Sequence, residues 1–218
     1  MRLRSVAVVT YAKVEPVSLT EAKAQVRLSP DMTDDDTFLM GLVSTGRRLV
    51  ERRLGITLVE TQYRATYDNE EPPVDWRLAA SFMPSLSVAQ TQYRAALGIQ
   101  EPFVGLPNPP LLVDSTHPLT VSVGGVTIDP ATYTVDFDSQ PGVVRFDTMP
   151  AIPAKSTLVL TYWAGPKTPI APQLRSAILL YVGHLYVHRE AATSEGGVNE
   201  LPLAFDTLLA SESVTGIY

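Results

Sequence analysis

The hydrophobic period along this chain changes twice, and that change limits the available folds more than any single motif does. Up to Gly55 apolar residues recur at three-and-four spacing, from Ile56 to about Ala164 they alternate, and from Pro172 the helical spacing returns. Helices at both ends with strands between them specify an α+β chain. Its frame is a helical bundle built from 16–54 and 172–210, and a large β-rich lobe, sandwich or barrel-like, is inserted into it. The expected division is 1–55 for the N-terminal half of the helical domain and 56–165 for the β-rich insert. Residues 166–210 then form the C-terminal half and 211–218 a tail. A length of 218 residues accommodates one large domain or two of about 100 residues.

Local signals support this division. Ser18-Leu19-Thr20-Glu21 has the form of a capping box opening a short helix over 16–28, which Ser29-Pro30 ends. Thr33 to Leu54 is the strongest helical segment. Thr33 is its expected cap, Asp34, Asp35 and Asp36 lie in its first turn, and Gly55 stands where a left-handed C-terminal residue belongs. Gly41 and Gly46 weaken this helix unless close packing compensates. The expected strands are 58–67, 86–96, 119–123, 126–128, 132–137, 143–146 and 157–163. Gly124-Gly125 marks a two-residue hairpin turn and Pro141-Gly142 another turn. The proline-rich stretch 97–118 reads as an extended loop, 191–199 as a flexible loop, and Leu203 to Leu209 as one or two helical turns.

Composition excludes several functions. The net charge of −6 opposes stable nucleic-acid binding, which needs a basic surplus, but it suits a wall past which DNA slides. Without cysteine there is no disulfide, thiolate metal site or cysteine nucleophile. The apolar run after Arg2 and Arg4 is too short for a signal peptide, and no stretch approaches the ~20 apolar residues of a membrane span. The chain is therefore expected to be soluble, made in the cytoplasm and without a membrane partner.

No catalytic constellation emerges. His184 and His188 have the i, i+4 spacing of zinc helices, but Leu185 stands where a metalloprotease helix carries glutamate, so structural roles are expected. No G-x-S-x-G elbow or phosphate loop is present. Asp34–Asp36 fits helix capping better than a calcium loop. Arg47, Arg48, Arg52 and Arg53 lie at a helix C-terminus, where cations are favoured anyway, and are assigned to a subunit interface. The chain is read as a non-enzyme without cofactor or metal.

The ordered set of segments is more specific than any one of them. Pro16-Val17-Ser18-Leu19-Thr20-Glu21-Ala22-Lys23 is followed by Asp34-Asp35-Asp36 and by Val50-Glu51-Arg52-Arg53-Leu54-Gly55. Then come Tyr133-Thr134-Val135-Asp136, Leu158-Val159-Leu160-Thr161-Tyr162-Trp163-Ala164-Gly165, a helix from Pro172 to Val182, His188-Arg189-Glu190, and Leu201 to Leu209. This series resembles the head–tail connector (adaptor) proteins of tailed bacteriophages across nearly the whole chain. Residues 68–118 depart from it, being longer and richer in proline than the usual insert.

The resemblance implies a structural virion protein of the neck region, made in the host cytoplasm and assembled as a ring, typically twelvefold. The ring would dock on the portal, extend the DNA channel without binding DNA specifically, and carry the attachment surface for neck or tail proteins. It also implies that the C-terminal segment reaches the portal through Phe205, Leu208, Leu209, Val214, Ile217 and Tyr218. Another neck or tail-completion ring protein is the alternative, and a ligand-binding β module a more distant one.

Overall fold

The computed structural model describes residues 2–11, 14–68, 103–139, 141–188 and 203–213. These residues form two compact units. One joins 2–11 to the described part of Glu60–Gly165, and the other joins 14–59 to the described part of 166–213.

The β unit contains nine described strands: β1 (Arg2–Thr10), β2 (Thr61–Asp68), β3 (Phe103–Gly105), β4 (Leu111–Leu112), β5 (Thr120–Val123), β6 (Val126–Thr127), β7 (Tyr133–Asp136), β8 (Val143–Phe146) and β9 (Leu158–Ala164). One sheet has the order β1-β2-β9-β5-β6, with β4 also pairing β9, and a second has the order β3-β8-β7; every pairing is antiparallel. β9 is the centre of the larger sheet because burial alternates along its whole length, placing Leu158, Leu160, Tyr162 and Ala164 on one face. Those residues share a core with Ala65 and Tyr67 of β2, Val104 of β3, Tyr133 of β7, and Val144 and Phe146 of β8. The two sheets thus enclose one apolar layer, which selects the sandwich from the two arrangements, sandwich or barrel, that the alternating period allows. Gly124 and Gly125 have φ of 57° and 84°, the doubly left-handed turn expected between β5 and β6.

Within 97–118 the structure differs from the expected loop. β3 and β4 pair onto β8 and β9, and the peptide between Pro109 and Pro110 is cis. The hydroxyls of Tyr67 and Tyr162 donate to the carbonyl oxygens of Gly105 and Pro107 and hold the intervening turn. Burial raises the pKa of both phenols, so they remain donors. The strand expected at 86–96 and the loop expected at 191–199 lie outside the described residues.

The helical unit holds α1 (Leu19–Gln25), α2 (Asp36–Leu54), α3 (Pro172–Val187) and α4 (Leu203–Ser213). Its core joins Val17, Ala22, Leu39, Val43 and Val50 from the first half of the sequence to Leu174, Ala177, Ile178, Val182 and Phe205 from the second. The capping box forms at Ser18 as its sequence predicts: the Glu21 amide donates to Ser18 Oγ, and the Ser18 amide donates to Glu21 Oε2. α2 begins later than expected. Asp35, not Thr33, occupies its N-cap, and no side chain caps it. Gly55 takes the left-handed conformation at its C-terminus, φ 66°.

Residues 2–10 correct the expected domain limits. The sequence reading placed 1–55 in the helical half, but Arg2–Thr10 is a strand paired along β2. Its β-branched content favours a strand, and only pairing with a segment some sixty residues away reveals where that strand goes.

Candidate functional site

The acidic run at the start of α2 ties helices together. Asp36 Oδ1 lies 2.7 Å from Lys23 Nζ of α1, and Lys23 is 6% exposed. Asp35 Oδ2 accepts from Tyr186 Oη of α3 at 2.5 Å. Capping was the expected role; packing brings α1 and α3 alongside and gives these carboxylates partners there. Glu21 pairs with Arg175 of α3. The Ser18 amide and hydroxyl, with Arg175 adding to them, lower the Glu21 pKa to about 2.

The four arginines assigned to a subunit interface separate into different environments. Arg47 is 7% exposed: its Nε and Nη2 bind Glu15 at 2.7 and 3.2 Å, and its Nη1 binds Glu51 at 2.7 Å. Glu51 also accepts from the Leu58 amide at 2.9 Å. Burial opposes the charge on Arg47, but hydrogen bonds and Coulomb attraction from Glu15 and Glu51 outweigh it and raise its pKa. Arg47 is therefore the centre of an internal ion-pair network, its fork saturated and covered. Arg53 reaches Asp206 of α4 at 3.3 Å, while Arg48 and Arg52 are exposed.

The C-terminal helix divides in the same way. Phe205 and Leu209 are 0% and 5% exposed in the helical core, and Leu208 is half-buried against it. α4 lays this face on α2 and α3, and the Phe205 ring lies 6.4 Å from that of Tyr181. Val214, Ile217 and Tyr218 lie outside the described residues.

In the β unit, His117 is clamped between two carboxylates. Its Nδ1 lies 2.8 Å from Asp114 Oδ1 and its Nε2 3.1 Å from Glu60 Oε1, with the ring edge-on to Trp163. The hydrogen bond to Glu60 and that to Asp114 raise the His117 pKa against a smaller opposing effect of burial. Asp114 is held well below the usual carboxylate range by bonds from the Thr116 hydroxyl and amide and from His117. His184 and His188 lie with ring centroids 4.9 Å apart, as their spacing predicts. Among the described residues no group of three or more His, Cys, Asp or Glu is placed to hold a metal ion, and no helix is long and apolar enough to cross a membrane.

The chain matches no family model and no curated protein sequence. It does superpose on solved structures. A chain in the neck of an empty GTA particle computed with C6 symmetry matches with TM-score 0.65 and 15% identity, covering 95% of this chain and 94% of that one. A chain of the virion of a native gene transfer agent (GTA) particle matches with TM-score 0.65 and 13% identity at the same coverage. A third, from the neck of a native GTA particle computed with C12 symmetry, gives TM-score 0.61 and 13% identity over 95% and 94%. The likeness is one of fold. It extends over both units and over nearly the whole of each chain.

Sequence reasoning overlooked β1, the carboxylate pair on Arg47 and the His117 clamp. The i, i+4 spacing of Arg47 and Glu51 was a readable signal, as was the β-branched run from Val6 to Thr10. Glu15 and Glu60, remote in sequence from their partners, left no comparable trace.

Proposed function

We propose that this chain is a structural subunit of the neck of a phage-like particle, a head–tail connector (adaptor). In this reading it assembles as a ring on the portal, extends the DNA channel, and offers the attachment surface for neck or tail proteins. The observation that carries the reading is the match of fold to GTA neck chains over 95% of the sequence. It is supported as well by the ordered connector-like segments from Pro16 to Leu209. An acidic chain, net −6, suits a channel wall because like charge keeps DNA from adhering.

The test is to mix the purified chain with portal protein and image the product by electron microscopy. A ring docked on the narrow end of the portal is the expected outcome. Portal complexes that remain bare overturn the reading.

A further inference from the structure

β1 ends the larger sheet, and among the described residues no strand pairs with its outer edge. Its register on β2 sets Leu3 opposite Tyr67, Val6 opposite Ala65 and Val8 opposite Tyr63. These three side chains therefore lie on the face where Ala65 and Tyr67 are 0% and 6% exposed, yet they are themselves 39%, 37% and 38% exposed. Val9, at an irregularity in the pairing, is 41% exposed. Among the described residues, the core face of the sheet continues past β2 as a partly exposed apolar ledge beside an unpaired edge. Proteins usually blunt such edges with charge, proline or shortness. Ser5–Thr10 contains neither charge nor proline, whereas β6 at the far end of the sheet is only two residues long.

Charge indicates what covers the ledge. β1 and β2 carry Arg2, Arg4 and Arg64 against the single acid Asp68. At the β6 end, Asp129 caps the turn Pro130–Thr132 that follows the strand, and the Asp147 amide donates to the Thr132 carbonyl of that turn. Four strand spacings, about 19 Å, separate β1 from β6. Opposite charge at opposite ends suits head-to-tail contact between copies, the kind of contact that closes a ring, while pairing β1 with β1 would bring two basic edges together.

We infer that β1 is the strand that joins subunits: its edge and ledge dock on the acidic β6–β7 corner of the next copy of this chain. The inference rests on the ring reading above and names the surface that builds the ring.

The full-length chain and three variants are each assayed for ring formation on portal, with the melting midpoint of the isolated chain measured alongside. Val6→Glu/Val8→Glu places acidic charge on the ledge, against an acidic partner, and is expected to leave the melt unchanged while reducing rings about tenfold or more. Arg2→Glu/Arg4→Glu should reduce them similarly, and adding Asp129→Lys/Asp147→Lys to that chain should restore them. Wild-type ring yield from either double variant, or no recovery in the quadruple variant, overturns the inference. Rings that form normally but detach from portal overturn it too, since the ledge would then face the portal. A lower melting midpoint for Val6→Glu/Val8→Glu places the cover within the same chain and also overturns it. Failure of the ring reading looks different, because the wild-type chain itself then leaves portal bare.

Discussion

Arg47 illustrates how a single side chain can organise a helical unit. A buried guanidinium loses hydration, and here Glu15 and Glu51 return the interaction through three hydrogen bonds. Arg47→Ala would leave two covered carboxylates facing each other without a cation. It should lower unfolding free energy by about 3 kcal/mol or more, read from urea melts. At His117 the consequence is a pH dependence. Its folded pKa is raised, so its contribution to stability is full below the unfolded value of 6.5 and is lost as pH rises through the folded value. Glu60→Gln should move the His117 midpoint down toward 6.5 in an NMR titration of the ring, since Glu60 supplies the larger of the two raising hydrogen bonds.

Among elements, α2 contains a matched comparison. A methyl group built on Gly41 meets nothing within 4 Å, whereas one on Gly46 comes within 3.0 Å of Tyr181 Cδ1 and 3.4 Å of Ile178 Cγ2. Gly41→Ala should therefore raise the melting midpoint, gaining up to about 1 kcal/mol of helix propensity. Gly46→Ala should lose that gain, or destabilise, because α3 packs where the methyl would go. The same two melts distinguish a glycine kept for close approach from one that packing does not require.

For the whole molecule, stability and the proposed attachment can be tested apart at the C-terminus. Phe205→Ala should cost about 3–5 kcal/mol, because the ring is fully buried in the helical core. Deleting 214–218 should leave the melt unchanged and, if the tail is the portal-binding part, abolish docking on portal. A truncated chain that still docks would remove Val214, Ile217 and Tyr218 from the portal contacts.

Periodicity and punctuation within short windows were enough to place most elements: the capping box at Ser18, the end of α2 at Gly55, the Gly124-Gly125 turn, β8, and a helix starting at Pro172. Each depends on groups only a few residues apart, and such interactions leave a pattern in the chain. The start of α2 escaped because Asp35 and Asp36 answer to Tyr186 and Lys23 on neighbouring helices. β1 escaped because a strand exposed on both faces has no strict alternation, and its partner lies beyond two helices in the sequence. Glu15 with Arg47 and Glu60 with His117 are likewise products of chain return. Phe205 and Arg47 owe their burial to helix packing, which the local pattern around them does not encode. Burial is a property of which faces meet, and only the folded chain decides that.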